Sequence, residues 1–318
     1  MKRWIRIFAW ISLCVCLMAL SAGALGEGRA IAVSGRGEDR VTRFLLMGCD
    51  KSTKLTDSIL LVTVNESAGQ TSILQIPRDT YAEYTKRDYK KLNGAMSALG
   101  ADGFKNFLSD ALGVKIHYFV VLKLDFFRAL VDDVGGVEVQ IPQDMVYSDP
   151  EQGLEINLKK GRMHLDGAQA EQFVRYRSGY VNADLGRLDA QKLFLRAFAK
   201  QCKTLSWRSV LRVLGHALTG VQTDLGVIDA VRVLKVLRAC NPDAVPMETL
   251  AGQAVAGKSG AWYYVLNREG ARRQIDAYLS PAGDVRFDPR GLFEHDSNSD
   301  FRNIYIAKES ALPLPFPR

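Results

Sequence analysis

Apolar positions along the chain change period several times, and each change marks an element. Phe44-Leu45-Leu46-Met47, Ile59 to Val64 and Ser72 to Ile76 are short, mostly apolar runs bounded by turn residues, the pattern of buried strands. Helical spacing follows over Leu92 to Leu99 and Phe104 to Leu112. Next come a strand from Tyr118 to Leu124 and a helix from Phe126 to Asp133 that Gly135-Gly136 stops. Val137 to Ile141 restarts a strand. Beyond Gln201 the spacing is helical over Trp207 to Leu218 and Val227 to Ala239, with a strand at Trp262 to Leu266 and a last helix around Ala271 to Tyr278. Strands interleaved with helices predict an α/β fold: a layered domain with a central mixed β-sheet and helices on both faces.

The N-terminus carries a different pattern. Lys2, Arg3 and Arg6 precede an uncharged run from Ile7 to Gly26, and roughly 20 apolar residues is the length that spans a bilayer as a helix. The basic flank keeps that end cytoplasmic, so residues 1–26 are expected to be a single-pass membrane anchor with the rest of the chain extracytoplasmic. Ala22-Gly23-Ala24 has the small-x-small form of a cleavage site, which leaves a cleaved signal peptide as the competing reading. Both readings export the domain. Residues 27–41, rich in Gly, Ser, Arg and Glu, read as a tether spanning roughly 20 Å as a loose coil. The main domain is expected over 42–205, a mainly helical extension packed on it over 206–280, and a loosely ordered tail over 281–318.

At 318 residues, 47% hydrophobic and 24% charged, the chain can bury a substantial core, which excludes disorder and a disulfide-stapled miniprotein. Forty-two Lys and Arg against 35 Asp and Glu leave +7, which suits a phosphate-bearing partner. Cys14 and Cys16 fall in the membrane run, and Cys49, Cys202 and Cys240 cannot form a closed disulfide framework, although a Cys202 to Cys240 bridge stays open. The four His are scattered without ligand spacing, which argues against zinc.

Four groups carry candidate chemistry. On the helix expected from Asp184 to Lys200, Asp189, Lys192, Arg196 and Lys200 share one side, while Arg187 and Gln191 fall with Phe194, Leu195 and Phe198 on the inward side. A buried guanidinium is costly unless an anion meets it, either a ligand or a structural Asp. In Phe173-Val174-Arg175-Tyr176-Arg177, read as extended, the two Arg project from one face and join Arg187 as three forks suited to phosphate oxygens. Ile76-Pro77-Arg78-Asp79 ends a strand in a charge pair, at the kind of strand end where α/β sheets bind ligands. Asp50 and Asp57 flank adjacent strands and offer the hard oxygens that Mg²⁺ takes together with phosphate.

In order along the chain, Gly48-Cys49-Asp50, Asp57-Ser58-Ile59, Ile76-Pro77-Arg78-Asp79-Thr80, Lys91-Leu92-Asn93, Val134-Gly135-Gly136-Val137, Gly161 with Leu165-Asp166-Gly167, Val174-Arg175-Tyr176-Arg177, and Asp184-Leu185-Gly186-Arg187 with Gln191 resemble the LytR-CpsA-Psr family. The likeness runs from about Arg43 to Gln201. It implies a membrane-anchored phosphotransferase of the bacterial envelope. Such an enzyme moves an anionic glycopolymer, such as teichoic acid or capsule, from a polyprenyl diphosphate carrier to peptidoglycan. By the same resemblance, Asp50 and Asp57 hold the metal, Mg²⁺ or Mn²⁺. Arg78, Arg175, Arg177 and Arg187 bind diphosphate, with Asp184 and Gln191 as polar companions.

Two positions depart from the family pattern: Leu55 stands where an Arg is common before the second aspartate, and Ala190 stands where an Arg commonly precedes the Gln. Asp79, following Arg78, is the nominee for general base, with fixing Arg78 as its alternative role. Phe104, Phe107, Phe119, Phe126 and Phe127 are either ordinary core or the lining of a polyprenyl slot. A non-catalytic polymer-binding protein and a diphosphate hydrolase remain as other readings. Nucleic acid is not an expected partner.

Overall fold

The computed structural model describes residues 40–49, 55–84, 90–180, 184–205, 209, 212–213, 220–256 and 260–279. The membrane run, the tether, Asp50, most of the helix expected over Trp207 to Leu218 and the tail lie outside the described residues. Among those described, no helix is long and apolar enough to cross a membrane.

Strands β1 (Val41–Cys49), β2 (Thr56–Asn65) and β3 (Gln70–Ile76) are followed by helix α1 (Ala95–Leu112), β4 (Tyr118–Lys123) and α2 (Leu124–Asp133). Next come β5 (Val137–Ile141), β6 (Met145–Asp149), β7 (Leu154–Leu158), β8 (Gly161–Leu165), α3 (Gly167–Arg175) and α4 (Asp184–Lys203). The chain then forms β9 (Val221–Thr223), α5 (Val227–Ala239), β10 (Met247–Thr249), β11 (Gly252–Ala256), β12 (Trp262–Leu266) and α6 (Arg268–Tyr278). The two helical patterns expected over Leu92 to Leu112 are one element broken at Gly100, whose φ of 74° is open to a residue without Cβ.

The central sheet runs β10-β3-β2-β1-β4-β9. It is mixed: β1 pairs antiparallel with β2 and parallel with β4, and β10 pairs parallel with β3. Both edge strands come from the C-terminal segment expected to be a mainly helical extension, so that segment completes the sheet. Each edge strand has only three residues, too few for a period to show in sequence.

Because side chains alternate along a strand, β1 to β3 feed two apolar layers. Leu45, Met47, Ile59, Leu61 and Leu74 pack with Phe104, Leu108 and Leu112 of α1 and Ile275 of α6. On the other face, Phe44, Val62 and Val64 meet Val233 and Val236 of α5. Phe104, Phe119 and Phe126 are buried, Phe104 and Phe119 in the first layer, with Phe107 packed partly buried against it and Phe127 against the second core. A second core, built by the hairpin-like pairs β5/β8 and β6/β7 with α2, α3 and α4, gathers Val137, Ile141, Ile156, Leu165, Phe173 and Phe194.

Helix α3 corrects the extended reading of Phe173 to Arg177. It starts at a capping box in which Asp166 accepts from the Gln169 backbone and Gln169 reaches back to the Asp166 N–H. Gly167 lies against the Arg128 backbone of α2, where a Cβ would collide with the Arg128 carbonyl. Gly167, Glu171 and Arg175 recur at four-residue intervals, one stripe of the helix, and the helix ends at Tyr176, an extended C-cap. Arg175 therefore follows the α2-facing stripe, while Arg177 leaves it.

Candidate active site

Four chain segments converge at one end of the sheet. Asp57 is the second residue of β2. Arg78 follows β3 in a tight turn where the Thr80 N–H donates to the Pro77 carbonyl at 3.0 Å. Arg177 follows α3, and Asp184 and Arg187 occupy the first turn of α4. Gln191, one turn further and buried, ties these segments together. Its Nε2 donates to the Val174 carbonyl at 3.2 Å, and its Oε1 accepts from Gln75 Nε2 at 2.8 Å and, at the 3.5 Å limit, from Ser58 Oγ.

Three guanidinium groups share two carboxylates. Arg78 Nη1 pairs with Asp57 Oδ1, and Arg177 Nη2 stands 4.0 Å from the same oxygen. Arg177 Nε lies 3.7 Å and Arg187 Nη2 2.8 Å from Asp184 Oδ1, and Arg187 Nη1 donates to the Asp57 carbonyl at 3.4 Å. The Arg187 residue is 1% exposed. The 2.8 Å approach to Asp184 is an ion-pair contact whose alignment falls short of a hydrogen bond. The Nε atoms of Arg78, Arg177 and Arg187 are buried with no hydrogen-bond partner among the described residues.

Electrostatics follow from this crowding. Burial, then the neighbouring Arg187 and Arg78, push Arg177 down to about 10 against the pull of Asp184 and Asp57. Arg187 is also held below its ordinary value, by burial first. Burial disfavours the Arg78 cation, but Asp57, Asp79 and Asp184 outweigh it and raise the value. Buried donors without partners among the described residues, on three guanidinium groups crowded together, form a site that an anion would complete.

Not every expected residue joins the cluster. Arg175 Nη1 pairs instead with Glu171 Oε1 at 2.8 Å, and the same buried carboxylate takes Arg128 Nε. Arg78, Arg177 and Arg187 thus share Asp57 and Asp184, with Arg175 held on Glu171 at the end of α3. Asp79 is engaged by Lys91 Nζ at 3.0 Å and lies 3.8 Å from Arg78 Nε, which suits fixing Arg78. Lys192 and Arg196, expected on a solvated face, reach Thr249 Oγ1 and the Pro242 and Asp243 carbonyls. Ala190 is buried in the second core, so the family's arginine at that position would not fit this packing.

Gln75, Glu171 and Tyr180 are site or supporting residues that the sequence analysis does not single out, and Ser58 and Lys91 enter it only as members of ordered motifs, with no role assigned. Gln75, a fully buried polar residue between apolar Leu74 and Ile76 in β3, carried the clearest signal.

A divalent cation is tested by the donor set. Asp57 offers a hard oxygen ligand on a side chain that is 40% exposed. Cys49, which precedes Asp50 in the chain, pairs with Thr56, the neighbour of Asp57. No group of three His, Cys, Asp or Glu that could hold a metal occurs among the described residues. Two carboxylates completed by phosphate oxygens fit Mg²⁺ chemistry.

Comparison with known proteins places this geometry. The chain is 26% identical over 239 residues to TagV of Bacillus subtilis strain 168, a polyisoprenyl-teichoic acid–peptidoglycan teichoic acid transferase, across 72% of this chain and 61% of the relative. TagU of Oceanobacillus iheyensis, a protein of the same description, is 26% identical over 74% of each chain. Among solved structures, TagV of B. subtilis superposes with a TM-score of 0.65 at 23% identity, covering 76% of this chain and 98% of that one. TagT bound to LIIa-WTA gives 0.61 at 24%, covering 80% and 98%. At those identities the structural likeness establishes the fold. The LytR_cpsA_psr family profile matches residues 21–277, which carry the arginine cluster and its carboxylates, and the chain belongs to the LytR-CpsA-Psr family.

Proposed function

We propose that the chain transfers an anionic glycopolymer of the teichoic acid or capsule kind from a polyprenyl diphosphate carrier to a peptidoglycan sugar hydroxyl. The observation that carries this reading is the cluster around Arg187, where four buried guanidinium nitrogens, Nε of Arg78, Arg177 and Arg187 and Nη2 of Arg187, have no hydrogen-bond partner among the described residues. A diphosphate supplies the missing acceptors and the missing negative charge. The transferase descriptions of the TagV and TagU relatives support the same chemistry.

In the reaction, the sugar hydroxyl attacks the polymer-side phosphorus, the bond to the bridging oxygen breaks, and polyprenyl phosphate leaves, its phosphate taking up the proton that the hydroxyl gives up. Negative charge spreads over equatorial oxygens and the leaving phosphate. Arg78, Arg177 and Arg187 hold that charge, and Asp57 and Asp184 keep the guanidinium groups in place before substrate arrives. Catalysis is then mostly positioning and charge neutralisation in a partly dry site. Mg²⁺ held by Asp57 and Asp50 would neutralise further phosphate charge, and Mn²⁺ offers the same oxygen-ligand chemistry. Asp79 serves by orienting Arg78. The uncharged run from Ile7 to Gly26 anchors the domain to the outer side of the cell membrane, where carrier lipid and peptidoglycan both lie.

The test is turnover of a short polyprenyl diphosphate glycolipid by the full chain with Mg²⁺, with and without a peptidoglycan oligosaccharide. The expected result is polymer joined to the oligosaccharide only when acceptor is present. Equal phosphate-bond cleavage in its absence would indicate a hydrolase. Binding without turnover would indicate a polymer-binding protein.

A further inference from the structure

Glu171 is a fully buried carboxylate outside the three-arginine cluster, on the face of α3 that packs on α2. Helix α3 is docked there by two contacts and started by its own cap. The Gly167 N–H donates to Asp132 Oδ1 at 2.7 Å, Gly167 sits against the Arg128 backbone, and the capping box fixes the first turn. One turn on, Glu171 is 2% exposed and takes Arg128 on one oxygen and Arg175 Nη1, at 2.8 Å, on the other. One turn further, Arg175 ends the helix with its side chain 25% exposed. Its chain neighbour Val174 is held by Gln191 at 3.2 Å, and Arg177 stands 4.0 Å from Asp57. Arg175 thus stands at the end of α3 between two residues tied to the site, Val174 and Arg177, and the buried carboxylate holds its Nη1.

We infer that Glu171 is a positioning residue for the anion site: it orients Arg175 for the substrate diphosphate, while Arg128 takes the carboxylate's other oxygen and braces α3 against α2. This rests on the diphosphate reading of the cluster. A buried carboxylate with one cation taken away would be left poorly compensated, and two arginines spare it that cost. The pair to Glu171 fixes one corner of the fork, and a fork fixed beforehand loses less rotamer freedom when it meets phosphate oxygens.

The test is a double-mutant cycle on the full chain, with geranyl diphosphate and Mg²⁺ as the probe and affinity and thermal unfolding as the readouts. Glu171→Gln and Arg175→Gln should each weaken binding roughly tenfold, and the double variant should bind no more weakly than Arg175→Gln alone, because Glu171 acts through Arg175. Arg128→Gln should lower the unfolding temperature yet bind within about twofold of wild type, since the Glu171 to Arg175 contact survives. Wild-type affinity in Glu171→Gln, or a multiplicative loss in the double variant, overturns the inference. If Glu171→Gln does not fold, Arg128→Gln decides: a loss as large as that of Arg175→Gln makes the triad a structural brace and overturns it too. Arg187→Gln separates the two levels. If wild type binds the probe and Arg187→Gln does not, the diphosphate reading stands whatever Glu171 does; if wild type fails to bind, both fall.

Discussion

Arg187 and Asp184, one turn apart on α4, form an unequal pair: Nη2 lies 2.8 Å from Oδ1, but the arginine side chain is 2% exposed and the aspartate 30%. The buried member is the cation. Removing it leaves Asp184 with access to water and with Arg177 Nε still 3.7 Å away, so no buried carboxylate is stranded. It also relieves repulsion with Arg177 and Arg78.

Arg187→Gln should therefore cost about 1 kcal/mol of stability or less, far from the roughly 3–5 kcal/mol of a broken buried pair. Its effect should fall on ligand: one lost charge-assisted contact is worth roughly 1.5–3 kcal/mol, about tenfold to a hundredfold in diphosphate affinity. Thermal unfolding and calorimetric titration of the same variant check both halves. Severe destabilisation with normal binding would return Arg187 to a structural role.

Asp57 meets two arginines through one oxygen and stands where a cation ligand is proposed. Asp57→Ala should cut Mg²⁺-dependent transfer roughly 100-fold or more, since loss of a single supporting contact at metal sites already costs about 10–100-fold. Added Mg²⁺ should restore less than a tenth of the rate, as the missing donor cannot be replaced from solution. Stability should fall modestly, because Arg78 and Arg177 lose a partly exposed anionic partner. A metal titration of transfer rate distinguishes this from a role in holding Arg78 alone, which would lower the rate without altering the Mg²⁺ dependence.

The readable parts of the chain are those where one physical demand acts alone. Strands β1 to β3 announce themselves because both faces are buried, and Arg187 and Gln191 were placed inward by helix period alone. The segment around Arg175 was misread because its helix is set by the capping box at Asp166 and Gln169, several residues upstream of the arginines. A period of two then put Arg175 and Arg177 on one face when a helix end divides them. The edge strands β9 and β10 owe their pairing to the sheet they join, and three residues hold no period to read. Glu171 was passed over because a carboxylate beside apolar Ala170 and Phe173 reads as a solvated position until α2 is packed on it.

Crowded guanidinium groups should be stabilised by anions. Pyrophosphate at about 100 times its Kd should raise stability by roughly 2.7 kcal/mol through mass action alone. The pH dependence carries a sign. The Arg177 value in the folded protein, about 10, lies below its unfolded value, so above pH about 10 the unfolded chain holds the extra proton and the native state's repulsion is relieved. Binding moves the other way, because the site loses a cation. The gain in unfolding temperature from pyrophosphate should thus stay level from about pH 7 to about pH 9 and shrink as pH passes about 10. A gain that falls steadily from neutral pH would point to a different titrating group.

Gly186 tests the backbone that presents the cluster. It lies in the first turn of α4 between Leu185 and Arg187, and a Cβ there would run into Cβ and Cγ of Tyr180. In an open helix, Gly to Ala would gain up to about 1 kcal/mol from propensity. Here the obstacle is the root of a side chain and not its flexible tip, and Tyr180 is held by an edge-on contact with Tyr176 at 5.5 Å between ring centres. The Tyr180 hydroxyl is buried without a hydrogen-bond partner among the described residues, and burial pushes it up to about 12. Overpacking of this kind costs roughly 1–3 kcal/mol, so it should outweigh the propensity gain. The start of α4 would shift, and with it the separation of Asp184 and Arg187 from Arg177. Gly186→Ala should therefore lower both the unfolding temperature and diphosphate affinity, whereas Arg187→Gln lowers affinity alone. A Gly186→Ala protein that melts higher than wild type would show that Tyr180 yields and that the close approach is dispensable.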